Sequence, residues 1–231
     1  MAINVDTVYR TVLLIINKEQ RGYITPDEFN KTATQVQLEI FNEYFENLNQ
    51  QIRIPDNDTE YSDRVKNLQQ KIAIFQTDGT CLPTTGGFNI PAVANFYKLG
   101  TVIYNDDKEI QYVQPNELLE LNLSPITKPS YYWPVYTYKD FIIKVYPTTI
   151  TSGISCTYVR KPANPVWNFT LGTNYQYVYD VNTSVNFDLH PIEQTNLVTR
   201  ILLYSGIVIK DPQIIQIAAQ QAQAETINSK S

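Results

Sequence analysis

The chain has 231 residues, 43% of them hydrophobic, 18% charged and 12% aromatic. That is enough apolar material to bury a core, and it argues against disorder throughout. Eighteen Lys and Arg against 23 Asp and Glu leave a formal net charge of -5, the wrong balance for a protein that grips nucleic acid over a broad face. A single His, two Cys and one Met offer little for chemistry near neutral pH or for soft metals, so neither cofactor nor metal is expected. The uncharged polar residues are abundant, with 20 Asn, 17 Gln and 17 Tyr.

The opening MAINVDTVY carries Asp6 where a signal peptide would be positive, and the first apolar run, Val12 to Ile16, is short. No run approaches the ~20 apolar residues of a membrane span, so the expectation is a cytosol-like compartment with no membrane partner. Val5, Val8, Tyr9, Val12, Leu13 and Ile16 recur at three and four residues, which predicts a helix from about residue 3 to 18. Gly22 ends it. Thr25, Pro26 and Glu28 have the spacing of a capping box with Pro at the first helical position. Phe29, Ala33, Val36, Ile40, Tyr44 and Leu48 then hold a helical period over about 23 residues, with Phe41 and Phe45 widening the stripe. After a polar loop at Pro55, Asn57 and Asp58, a third helix is predicted from about Glu60 to Gln76, with Val65, Leu68, Ile72 and Phe75 on its buried face.

From Thr77 to Pro91 the Gly and Pro density reads as an ordered loop. Short apolar or alternating runs follow: Asn95 to Tyr104, Glu109 to Val113, Tyr131 to Tyr138, Phe141 to Tyr146 and Gly153 to Arg160. Their Val, Ile and Tyr content predicts antiparallel strands, with hairpins at Asn105-Asp106-Asp107 and Lys139-Asp140. Pro115 to Leu119 predicts one turn or a short helix. The link Arg160 to Trp167 is Pro-rich, and Val185, Phe187 and Leu189 alternate like one last strand. Glu193 to Tyr204 is helical with Leu197, Ile201, Leu202 and Ser205 on one side, Gly206 is expected to stop it, and Asp211-Pro212 opens a final helix. The fold class expected is α+β: an N-terminal three-helix body packed with C-terminal helices, and a small antiparallel β region in the middle. The expected segments are 1–77, 78–190 and 191–231, the last packing with the first.

Chemical motifs are weak. Cys81 and Cys156 stand 75 residues apart and read as core or loop thiols in a reducing compartment, with a disulfide as the alternative. His190 precedes a proline and suits a structural role. Asp56, Asp58, Glu60 and Asp63 lack the central Gly and terminal Glu of a calcium loop. Asp78-Gly79-Thr80 with Gly86-Gly87 lacks the phosphate-reaching lysine of a P-loop. No catalytic residue is nominated. Arg160-Lys161 is the only adjacent basic pair, and with Tyr158 and Trp167 it suits a rim contact to another subunit better than nucleic acid.

The residues also resemble a known family. MAINVDTVY, NKEQRGYITPDEFN at Asn17 to Asn30, Gln35-Val36-Gln37-Leu38 with Phe41, RKPANPVW at Arg160 to Trp167, and FDLHP with LVTRILLYSGIVIKDPQIIQIA between Phe187 and Ala218 together look like head-to-tail connector (adaptor or ring) proteins of short-tailed double-stranded DNA phages, crAss-like phages in particular. The resemblance implies a structural virion protein, not an enzyme. It implies a homo-oligomeric ring, often of twelve copies, beneath the portal protein and against an adjacent ring or tail protein. The ring would line the channel for genome passage, with only transient, non-specific proximity to DNA. Assembly would take place in the host cytoplasm. Arg160, Lys161 and Trp167 would lie on an excursion from the β region, and Asp211-Pro212 would start a terminal arm able to reach a neighbouring ring. Within that segment Ile214, Ile215 and Ile217 stand too close together for one narrow helical stripe, so a partner is expected to bury their second side. A lumen that lets DNA slide should be neutral or acidic. The other readings are a tail or neck component contacting fibres or outer tail proteins, a virion-associated hydrolase, and a nucleic-acid-binding module.

Overall fold

The computed structural model describes residues 2–18, 23–53 and 59–209, together with Gln216, Gln220, Gln221, Gln223 and Ala224. Along the chain come helices α1 (Val5–Lys18), α2 (Pro26–Arg53) and α3 (Thr59–Ala73), then strands β1 (Gln76–Thr80), β2 (Leu82–Thr84) and β3 (Gly87–Asn89). Next are β4 (Phe96–Tyr104), β5 (Lys108–Tyr112), helix α4 (Pro115–Leu123), β6 (Val135–Lys139), β7 (Ile142–Tyr146) and β8 (Ile154–Arg160). The short strands β9 (Phe169–Leu171) and β10 (Tyr177–Tyr179) precede α5 (Gln194–Ile209). The chain divides into two compact units: Met1–Ile74 with Pro162–Ser231, and Phe75–Lys161.

The second unit is a mixed eight-stranded sheet in the order β1-β8-β4-β5-β6-β7-β3-β2. Its two end strands, β1 and β2, are separated along the chain by Cys81 alone. One bent strand therefore supplies both edges, and the sheet nearly closes into a barrel. The Cys81 amide donates to the Ile154 carbonyl at 2.8 Å, so pairing with β8 continues into the corner. Closure of this kind hides the free edges that would otherwise invite another chain. Strand residues alternate between interior and exterior: Ile154, Cys156 and Tyr158 of β8 point inward and join Phe88, Val102, Ile110, Tyr136, Ile143 and Val145 in one buried core. At Gly87, φ is +146° and any Cβ would lie 2.5 Å from the Ile143 carbonyl oxygen. Only glycine lets β3 approach β7 there.

The structure is thus dominated by sheet, and the expected three-helix body with a small β region is overturned. It has a large, nearly closed mixed barrel-like sheet and five helices among the described residues. The reason lies in residues 77–91. Their Gly, Pro and Thr content carries no local strand signal, yet they form most of β1, β2 and β3 by pairing with distant partners: β1 with β8, and β3 with β7. Such pairing is a tertiary effect that overrides local preference. The expectation of antiparallel strands throughout also fails at one pair, because β5 and β6 run parallel, Gln111 facing Val135 and Tyr112 facing Tyr136.

The five later strand runs are found close to where their composition put them. The β6–β7 turn falls on Asp140 and Phe141, both at positive φ (52° and 65°), the conformation of a tight hairpin turn. Asn105 and Asp106 are likewise at positive φ between β4 and β5.

In the first unit, Val5, Val8, Tyr9, Val12 and Ile16 form the buried stripe of α1, whose start is capped by the Asn4 side chain accepting from the amides of Asp6 and Thr7. Thr25 caps α2 as its spacing suggests: its Oγ1 accepts from the Glu28 amide at 3.3 Å, and a Glu28 carboxylate oxygen accepts from the Thr25 amide at 2.9 Å. Phe29, Ala33, Val36, Ile40, Phe41 and Tyr44 bury the face of α2. Polar contacts fasten α5 to it. Arg200 makes a two-pronged ion pair with Glu43, both bonds 2.7 Å, and Tyr204 donates to Glu39. Lys71 of α3 reaches Glu193 just before α5 at 2.6 Å. Burial disfavours the Arg200 charge, but the carboxylates of Glu43, Glu39 and Glu193 outweigh it and raise its pKa. Gly206 is buried within α5 and does not stop it; a helical glycine costs only about 1 kcal/mol. Val185 and Phe187 form isolated bridges to Val166 and Ile3 instead of a strand.

Replacing Thr25 by Ala removes the cap of α2 and should lower stability by about 0.5–2 kcal/mol. Urea unfolding followed by circular dichroism checks this, and an unchanged midpoint would contradict the capping role.

Candidate interaction surfaces

Two parallel neighbours cannot be joined by a tight turn, so β5 and β6 require a crossover. Residues 113–134 provide it, and α4 is its centre. The Gln114 side chain caps the helix while Glu117 reaches back to the Gln114 amide, with Pro115 in the first turn. Leu118 and Leu121 face the sheet and pack with Val113, Val135 and Tyr146 in a small core of their own.

At 100° per residue, Leu119 and Leu123 project from the opposite side of α4. They are 69% and 85% exposed, and Ile126 beyond the helix is 94% exposed. Tyr132 and Trp133 follow, 76% and 80% exposed. These side chains stand on a fastened backbone. Thr127 Oγ1 donates to the Leu121 carbonyl at 3.0 Å, and the Lys128 amide donates to the Ser124 carbonyl at 3.1 Å. Ser130 and Trp133 exchange backbone hydrogen bonds at 3.3 and 3.2 Å. Tyr131 donates through its hydroxyl to the Thr149 carbonyl at 3.2 Å, and the Lys108 ammonium lies 5.1 Å from the centre of the Tyr132 ring. The sequence reading folded Tyr131 to Trp133 into a strand and missed this surface. The signal was present in PNELLELNL, whose leucines occupy both faces of a nine-residue helix.

The β9–β10 hairpin of the first unit is a second exposed apolar feature, carrying Leu171, Tyr175, Tyr177 and Val178. Trp167 anchors it. The Trp167 indole is buried, donates to an Asp6 carboxylate oxygen at 3.0 Å, and packs against Tyr9, Phe169 and Tyr179. The Asn30 side chain holds both its amide and its carbonyl, at 2.8 and 3.2 Å.

Of the residues singled out from sequence, Arg160 ends β8, where its amide donates to the Phe75 carbonyl at 2.9 Å. Lys161 follows it, with an exposed side chain and its amide bonded to the Asn95 carbonyl at 2.7 Å. Both belong to the second unit, whereas Trp167 belongs to the first. Asp211, Ile214, Ile215 and Ile217 lie outside the described residues. His190 accepts from the Ile192 amide through Nδ1 at 3.3 Å and opens the short turn before α5.

Among the described residues no group of three or more His, Cys, Asp or Glu side chains is placed to hold a metal ion, and no helix is long and apolar enough to cross a membrane. Cys81 and Cys156 meet inside the barrel as free thiols, their sulfurs sharing a hydrogen bond at 3.1 Å. They titrate as a pair: the bond to its partner eases ionisation of Cys81, while the same bond and burial push the Cys156 thiol far up. Compared with models of known protein families and with curated proteins, the chain matches none.

Both thiols are almost wholly buried, so neither should react with an aromatic disulfide reagent in the native chain, and both should react once urea unfolds it. Rapid labelling of the native protein would contradict the closed barrel corner.

Proposed function

We propose that this protein is a structural subunit of a virion, forming a ring in the head-to-tail connector beneath the portal. There it lines the channel for genome passage and joins the capsid vertex to the tail. The observation that carries the reading is the apolar excursion, residues 115–133. It exposes large aliphatic and aromatic side chains on a backbone fixed at several points, the material of a protein contact. The resemblance of the sequence blocks to connector proteins supplies the setting. The net charge of -5 favours a channel that DNA slides through over one that binds it. The work assigned to the side chains is holding neighbours in register, with no bond made or broken.

Electron microscopy of native particles, or of the protein mixed with its portal, tests this directly. The expected image is a closed ring of copies against the portal. Density for this chain on fibres or on the outer tail would overturn the connector assignment.

A further inference from the structure

A helix that packs one face on a sheet ordinarily shows water a polar face, and a helix that is apolar all round is a buried one. α4 has Leu118 and Leu121 inward, and Leu119 and Leu123 outward with no cover among the described residues. We infer that residues 115–133 form the contact between copies of this chain, a second copy being the partner that covers Leu119, Leu123, Ile126, Tyr132 and Trp133. This deepens the ring reading above and rests on it only for its biological setting.

Area supports the choice. With Tyr131 included, the exposed fractions leave roughly 700 Å² of apolar surface on this excursion. As a sum over the excursion it approaches the ~800 Å² that each partner gives to a standard interface.

Charge selects the partner. The chain as a whole carries -5, so two copies repel each other over most approaches. On the excursion, however, the acids Glu117 and Glu120 stand with Lys128, and Lys108 lies against Tyr132. Within residues 115–133 two acids and one lysine leave a charge of -1, so a copy meets little of the general repulsion there. Both signs are available to pair across the contact. The same balance disfavours an anionic lipid surface, which recruits aromatic loops flanked by excess Lys and Arg, and it disfavours nucleic acid.

The test uses the full chain. Sedimentation velocity over a range of concentrations should show self-association, and acrylamide quenching of exposed Trp133 should fall as the oligomer forms, while that of buried Trp167 stays low throughout. The double variant Leu119→Asp/Leu123→Asp should lose association while its circular dichroism melt is unchanged, because neither side chain contributes to the core. Trp133→Ser provides a second variant and should weaken association at least tenfold. If both variants associate like the native chain, the surface is wrong while the ring reading stands. A native chain that stays monomeric, or that binds phosphatidylserine vesicles without self-associating, also overturns the inference. A ring that nevertheless appears beneath the portal would then preserve the functional reading by another contact.

Discussion

A strand that runs parallel to its neighbour must be reached by a crossover, and that rule shapes the exposed surface of this protein. Every other neighbouring pair in the eight-stranded sheet is antiparallel. Hairpins join three of those six pairs, β2–β3, β4–β5 and β6–β7. The β5–β6 pair needs residues 113–134 to return to the same end, and the chain places a leucine-rich helix and an aromatic run there. Part of that apolar material covers the sheet through Leu118 and Leu121. The remainder faces outward because a nine-residue helix offers the sheet only one of its sides.

The barrel gives this excursion a firm base. Cys81 turns one strand into both edges of the sheet, and the buried sulfur pair sits beside that corner. In the first unit, Trp167 has a similar organising role, with its indole on Asp6 and its backbone clamped by Asn30. In both cases one side chain near a chain reversal joins segments far apart in sequence. Strain or mobility at the surface is not required for function under this account; rigid presentation of apolar groups reduces the ordering cost of association.

Local signals read well from the sequence, and distant ones did not. The Thr25 cap, the stripes of α1 and α2 and five strands of the barrel carry their periodicity or capping chemistry within a few residues. β1 to β3 have none: Gly79 is a strand residue because Cys156 of β8 faces it, and Pro83 and Gly87 belong to a β2–β3 hairpin that joins the sheet through the pairing of Phe88 and Asn89 with β7. Gly206 was misread because a helix supported by packing on α2 and α1 tolerates a single glycine. Arg160 and Lys161 belong to one unit, and Trp167, close to them in sequence and buried, belongs to the other. The surface that does project was hidden by the ambiguity of aromatic runs, which suit an exposed contact as well as a strand. Its parallel crossover could not be seen without the register of β5 and β6.

The central claim is that residues 115–133 are covered by another copy of the chain. Hydrogen–deuterium exchange at low and high protein concentration measures this directly. The account predicts slowed exchange in the amides of 115–133 as concentration rises, with the strands of the barrel unchanged. Oligomers that form with exchange in this segment unaltered, and with new protection on the β9–β10 hairpin instead, would contradict it.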